Sequence, residues 1–122
     1  MGIFYVDCII ENVRKPRNIT GVKRLMVDSE AEYTWVPEHI LETIGVQVAK
    51  KDVPFVMANG QTITRDVGYV IIRVDGFETV DEVVFAKTGD LKLLGARTLE
   101  GFAARVDPRA KKLVAAGPIP AA

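Results

Sequence analysis

Two dipeptides, Asn59-Gly60 and Asp75-Gly76, constrain this chain more than any other feature. Each separates two runs rich in β-branched and aromatic residues, and both pairs tolerate the positive φ angles that tight hairpin turns demand. They predict two antiparallel hairpins, one pairing Val53–Ala58 with Gln61–Val67 and the other pairing Tyr69–Val74 with Phe77–Phe85. In the second, Val70, Ile72 and Val74 fall on one face of an extended strand, which fits a sheet with one buried side.

The same reading extends outward from the hairpins. Ile3–Glu11 predicts a first strand, Asn12–Gly21 a basic loop and Val22–Val27 a second strand. Tyr33–Val36 is short and aromatic. After it Pro37 suits the first turn of a helix, Glu38 favours that helix's positive end, and Ile40, Leu41 and Ile44 form an apolar stripe before Gly45. Leu91, Leu93 and Leu94 lead to Gly95, Thr98–Phe102 predicts a helical turn, and Ala103–Val106 with Leu113 and Val114 predict closing strands. Residues 115–122, rich in Ala, Gly and Pro, predict a loose tail. Short strands, glycine turns and two small helices indicate an all-β fold, a closed or half-closed β-barrel in a single domain over residues 1–122.

Composition narrows the function. Sixteen basic and sixteen acidic residues balance, so no net field recommends nucleic acid as a partner. Arg14, Lys15, Arg17, Lys23 and Arg24 cluster without interleaved aromatics, the pattern of a solvated loop. Cys8 is the only cysteine and His39 the only histidine. No intrachain disulfide can form, a thiol nucleophile lacks a nearby base, and no metal-ligand set is expected. No apolar run approaches the roughly 20 residues that span a bilayer, and no secretion signal opens the chain, so the expectation is a cytoplasmic protein without membrane contact.

The chemistry centres on Asp28, a carboxylate placed where the strand Val22–Val27 ends. An ionised carboxylate at a strand end costs free energy unless it is paired, protonated or hydrogen-bonded. An Asx turn capped by Asp28 is the plain structural reading. The segment Val27-Asp28-Ser29-Glu30-Ala31-Glu32-Tyr33-Thr34-Trp35-Val36-Pro37 also resembles the active-site segment of retroviral-type aspartic proteases, which reads apolar-Asp-Thr/Ser-Gly-Ala/Ser and, two residues on, Thr or Ser before apolar residues. Val56-Met57-Ala58-Asn59-Gly60-Gln61 falls where that family has its flap hairpin. Leu93-Leu94-Gly95-Ala96-Arg97 falls where it has an apolar-apolar-Gly step into a short helix. Glu30 departs from the pattern, standing where the family has glycine.

The resemblance implies an acid-protease-like β-barrel in which one chain supplies half of an active site. Hydrolysis by this route needs two carboxylates about 3 Å apart sharing one proton, so it implies a homodimer with Asp28 of each copy facing its twin. It implies an extended peptide or protein as substrate and no cofactor. Asp28 becomes the catalytic residue, with Ser29, Glu30 and Ala31 supporting the dyad, and Met57, Ala58, Asn59, Gly60, Leu94 and Gly95 contacting substrate. Arg97 lies near the place of an arginine that pairs with an acid after the triplet, and Glu32 is its candidate partner. Glu30 leaves two outcomes open: it crowds the dyad and leaves a peptide- or protein-binding module, or it points into the cleft and favours basic substrate side chains.

Overall fold

The computed structural model describes residues 3–121, and these form a mainly β structure with two short helices. In chain order they are β1 (Tyr5–Asn12), β2 (Ile19–Val27), β3 (Thr34–Pro37), α1 (Glu38–Thr43), β4 (Lys50–Val56), β5 (Thr62–Val74), β6 (Phe77–Ala86), β7 (Leu93–Leu94), α2 (Ala96–Gly101), β8 (Ala104–Asp107) and β9 (Lys112–Ala115). Strands β1, β2, β7, β3, β6 and β5 bond in that order, and β5 pairs back onto β1, so the sheet closes into a ring. Strand β4 hangs on the outside of β5. Its free edge carries Lys50, Lys51 and Pro54, residue types that discourage further strand pairing.

Alternation drives the ring. Along β1 the side chains of Val6, Cys8 and Ile10 point inward while Tyr5, Asp7 and Ile9 face solvent. The interior gathers Ile10, Val22, Leu25, Val36, Leu41, Val70, Ile72, Val83 and Leu94, all at or near zero exposure. Full burial of one Leu or Ile side chain contributes about 1.5–3 kcal/mol. Helix α1 lies against β3 and β6 with Leu41 in the core, and α2 lies beside β6, with Leu99 and Phe102 in the core.

Several expected boundaries move, each for a local reason. Gln61–Val67 and Tyr69–Val74 are not two strands but the single strand β5, which runs straight through Gly68. A Cβ at Gly68 would come within 2.8 Å of the Gln47 carbonyl and 3.0 Å of the Phe85 ring, so this glycine permits a close approach rather than breaking the strand. The basic loop is shorter than Asn12–Gly21, because Ile19, Thr20 and Gly21 already pair with Glu11, Ile10 and Ile9. Asn12 folds that loop: its Oδ1 accepts the Arg14 amide at 2.9 Å and the Lys15 amide at 3.2 Å, while its Nδ2 donates to the Ile44 carbonyl at 2.9 Å. Pro37 ends β3 and caps α1 at ψ 131° instead of lying in the helix's first turn.

The two turns differ as well. Asp75 and Gly76 both have positive φ, the two-residue hairpin turn expected of them. Around Asn59-Gly60 the loop has three residues, Ala58, Asn59 and Gly60, with only Gly60 at positive φ. The Met57 amide donates to the Gln61 carbonyl at 2.8 Å, and the Gly60 amide to the Met57 carbonyl at 2.9 Å. At the other end, Ala115 belongs to β9 and pairs with Ala104, and the Ala116 amide donates to the Ala103 carbonyl at 2.8 Å. The tail therefore starts one residue or more later than expected, and Ala122 lies outside the described residues.

Candidate functional site

Strand β2 delivers Asp28 to the rim of the ring. Met26 and Val27 pair in parallel with Leu93 and Leu94, and the Asp28 amide donates to the Leu94 carbonyl at 3.0 Å. The chain then reverses. The Glu30 amide donates to Asp28 Oδ1 at 3.0 Å and the Ala31 amide to the Asp28 carbonyl at 3.2 Å, which is the Asx turn that the residue types suggest. The second carboxylate oxygen, Oδ2, meets no protein donor among the described residues, and Asp28 is partly exposed. Ser29 and Glu30 are exposed at the turn's crest.

Glu30 does not occupy a conformation that demands glycine. Its φ is not positive, and its backbone amide turns onto the Asp28 carboxylate while its side chain lies toward solvent. Within a single copy no crowding around Asp28 arises from it.

The platform under this turn is built from backbone and buried hydroxyls. After Leu94, Gly95 passes so close to the chain that an added Cβ would be 2.6 Å from the Tyr33 carbonyl carbon and 3.0 Å from the Ala31 carbonyl oxygen. Beyond it, the Ala96 amide donates to the Ala31 carbonyl at 2.7 Å and the Arg97 amide to the Glu32 carbonyl at 3.1 Å. Only glycine allows the strand-to-helix step to lie against the turn so closely. Leu94 and Gly95 are both buried, so in one copy they support Asp28 from beneath rather than present a surface.

A chain of hydroxyls locks the step. The Gly95 amide donates to Thr34 Oγ1 at 3.0 Å, Thr34 Oγ1 lies 2.6 Å from Thr98 Oγ1, and Thr98 Oγ1 donates to Asp81 Oδ2 at 2.8 Å. Each hydroxyl has one proton, so the proton of Thr98 goes to Asp81 and that of Thr34 goes to Thr98. Thr34 is then left as the acceptor for Gly95. Both threonines are fully buried, and every link is satisfied. Thr34 stands in the motif segment, but Thr98 and Asp81 lie outside it; Thr34 and Thr98 are 64 positions apart, and nothing in either local pattern marks them as partners.

The hairpin β4–β5 meets the site through a second apolar cluster. Trp35, Val67, Val84 and Ala86 are buried, and Tyr33, Val53, Phe55, Met57, Ile63 and Leu93 pack on them while staying partly exposed. The Phe55 ring lies 5.3 Å from Tyr33, edge to face, and 5.2 Å from Trp35. Met57 thus joins the cluster that contains Leu93, next to the residue that holds the Asp28 amide. Ala58, Asn59 and Gly60 project past it and are exposed, with Asn59 Oδ1 accepting the Gln61 amide at 2.9 Å.

Arg97 stands over the Tyr33 ring at 4.4 Å and reaches Glu32 at 3.6 Å and Glu82 at 3.9 Å. Its expected pairing with Glu32 is present, as an open, solvated contact of little energetic weight. Cys8 and His39 take no part. Cys8 packs in the core, where burial first and the neighbouring Asp7 carboxylate second push its thiol up to about 12. Among the described residues no cluster of three His, Cys, Asp or Glu could hold a metal ion, and no helix is long and apolar enough to cross a membrane.

Two shallow surface hollows lie elsewhere, one lined by Asn12, Arg14, Gly45 and Tyr69, the other by Asp7, Ile9, Arg73 and Phe77. Neither touches Asp28 or the hairpin tip. No protein-family model matches the chain, and none of the curated proteins matches it.

Proposed function

We propose that this chain is a retroviral-type aspartic protease homologue with an acid-protease-like barrel, and that it hydrolyses extended peptide segments as a homodimer. The observation that carries the reading is the setting of Asp28. Its backbone is fixed to Leu94, one carboxylate oxygen accepts the Glu30 amide, and the other meets no protein donor among the described residues in a partly exposed side chain. A single carboxylate so placed is half of a dyad. A second copy related by a two-fold axis would supply the other half through the same surface.

In that dimer the two Asp28 side chains would share one proton between them. The ionised member would take a proton from water as the water attacks the scissile carbonyl. The protonated member would donate to the carbonyl oxygen, leaving a tetrahedral diol that then collapses with proton transfer to the departing amine. The hairpin tip at Ala58–Gly60 offers backbone groups to a strand-like substrate, and the partly exposed Met57, Ile63, Phe55 and Leu93 offer apolar surface. Ser29 is exposed at the crest, and in the proposed dimer its hydroxyl would meet the partner's turn.

Glu30 favours a second reading. Two copies would bring two Glu30 side chains near two Asp28 side chains, and the mutual repulsion of four carboxylates opposes both dimerisation and sharing of one proton as pH rises. The chain would then be a peptide-binding module of the same fold. Cleavage of an unfolded protein between about pH 3 and 7 separates the two. Activity lost in Asp28→Asn and kept or raised in Glu30→Gly supports the enzyme. A silent original that becomes active as Glu30→Gly supports the binding module, and silence of all three removes the protease reading.

A further inference from the structure

The hairpin that carries the tip extends beyond the ring. Strand β6 pairs with β5 only from Val67 to Val74, and β1 pairs with it only from Val70 to Arg73. From Thr62 to Asp66, β5 has β4 as its sole strand neighbour. That overhang is a two-stranded arm, and a lone two-stranded arm is only marginally ordered in water. Side-chain contacts with the body of the fold add to the hold of that one ladder.

The arm's inner face supplies two anchors. Val53 lies opposite Arg65 and Phe55 opposite Ile63, so these four side chains share one face. Phe55 and Ile63 pack toward Trp35, near the tip. At the root, Arg65 grips Asp90 with two parallel bonds, Nε to Oδ2 at 2.7 Å and NH2 to Oδ1 at 2.9 Å. The side chains are only 16% and 11% exposed, which sets this pair apart from the solvated contact of Arg97 with Glu32. A planar fork on a carboxylate in a sheltered setting fixes direction as well as distance.

Asp90 has a second task. Its Oδ2 accepts the Lys87 amide at 2.8 Å, and its own amide donates to the Lys87 carbonyl at 2.9 Å, so it folds the turn after β6. Three residues later come Leu93 and Leu94, the strand whose carbonyl holds the Asp28 amide. One carboxylate therefore joins the root of the arm to the loop that leads under Asp28.

We propose that Arg65 and Asp90 are positioning residues: their paired bonds set the angle and mobility of the β4–β5 arm relative to the Asp28 platform. The role of the arm as a cover for substrate rests on the protease reading, whereas the coupling itself does not. The Arg65 guanidinium also holds the Asp90 carboxyl below the usual carboxylate range, so the pair stays charged at neutral pH.

The test is amide hydrogen exchange on the full chain, comparing the original with Arg65→Lys and Asp90→Asn. Lysine keeps the charge but loses the fork, and asparagine keeps an acceptor for the Lys87 amide but loses the charge. Exchange at Met57, Gly60 and Ile63 is expected to speed up about tenfold or more in both variants, while Ile72, Val83 and Leu94 hold their rates. Equal acceleration at core and arm, or none at the arm, overturns the proposal. If the protein cleaves peptides, KM should rise with kcat changed much less. Arm-selective exchange in a protein that cleaves nothing would keep the coupling and discard the protease reading.

Discussion

Thr34→Val tests the hydroxyl chain beneath Asp28 with almost no change in side-chain volume. Valine keeps the branched shape that suits β3 but removes the acceptor of the Gly95 amide and the donor to Thr98. Gly95 is buried, so its N–H finds no water, and an orphaned buried amide costs about 1–3 kcal/mol. Loss of the bond to Thr98 adds about 0.5–1.5 kcal/mol, although Thr98 keeps Asp81 as its acceptor. The expected loss of stability is about 1.5–4.5 kcal/mol, a large share of the 5–15 kcal/mol typical of a domain. Trp35 is the only tryptophan and is buried beside this network, so its fluorescence during urea unfolding reports the change. Protein concentration must be held fixed, because association would add to the apparent stability. Thr34→Ser keeps the hydroxyl, loses one methyl and should cost about 1 kcal/mol. If Thr34→Val lies within about 0.5 kcal/mol of the original, or is no worse than Thr34→Ser, the chain of bonds from Gly95 to Asp81 does not hold the step.

Three further outcomes follow from the same structure. Gly95→Ala drives a Cβ into the backbone of Tyr33 and Ala31 and should cost about 3 kcal/mol or more in urea unfolding, whereas Gly21→Ala, whose nearest neighbour is the Cys8 carbonyl at 3.8 Å, should be neutral or mildly stabilising. Cys8, protonated and buried, should resist alkylation at neutral pH in the folded protein and react at the rate of an ordinary thiol in urea, so rapid native labelling would contradict its place in the core. The Asp90 carboxyl is lowered in the folded state, chiefly by its bond to Arg65, so its contribution is full above the unfolded value of about 3.9 and disappears as pH falls through the lower folded value. The stability gap between the original and Asp90→Asn should therefore be constant from neutral to mildly acidic pH and close only in stronger acid.

Local signals in the sequence account for most of the fold and for part of the candidate site. The Asp75-Gly76 turn, the alternation through Val70, Ile72 and Val74, and the stripe of Ile40, Leu41 and Ile44 each act over a few residues, and each appears in the structure where the sequence places it. Gly68 misled because a glycine in an extended run reads the same whether it breaks a strand or admits a close neighbour; the neighbours that decide, Gln47 and Phe85, lie far away in sequence. Ile19, Thr20 and Gly21 read as loop because their pairing with β1 depends on the side chain of Asn12 folding the turn between them. At the site, Asp28 and Gly95 were legible as residue types in a pattern. The supports around them were not: Thr34 with Thr98, and Arg65 with Asp90, are pairs formed only when distant strands meet.

If Asp28 is half of a catalytic pair completed by a second copy, a mixing experiment reads that out without any other assumption about the substrate. Peptide cleavage per chain would be followed as the protein is diluted and as Asp28→Asn chain is added at fixed original concentration. Cleavage per chain is expected to fall on dilution, and the added variant to suppress it, because mixed dimers carry one carboxylate. Cleavage per chain that is independent of concentration and untouched by the Asp28→Asn chain would contradict it.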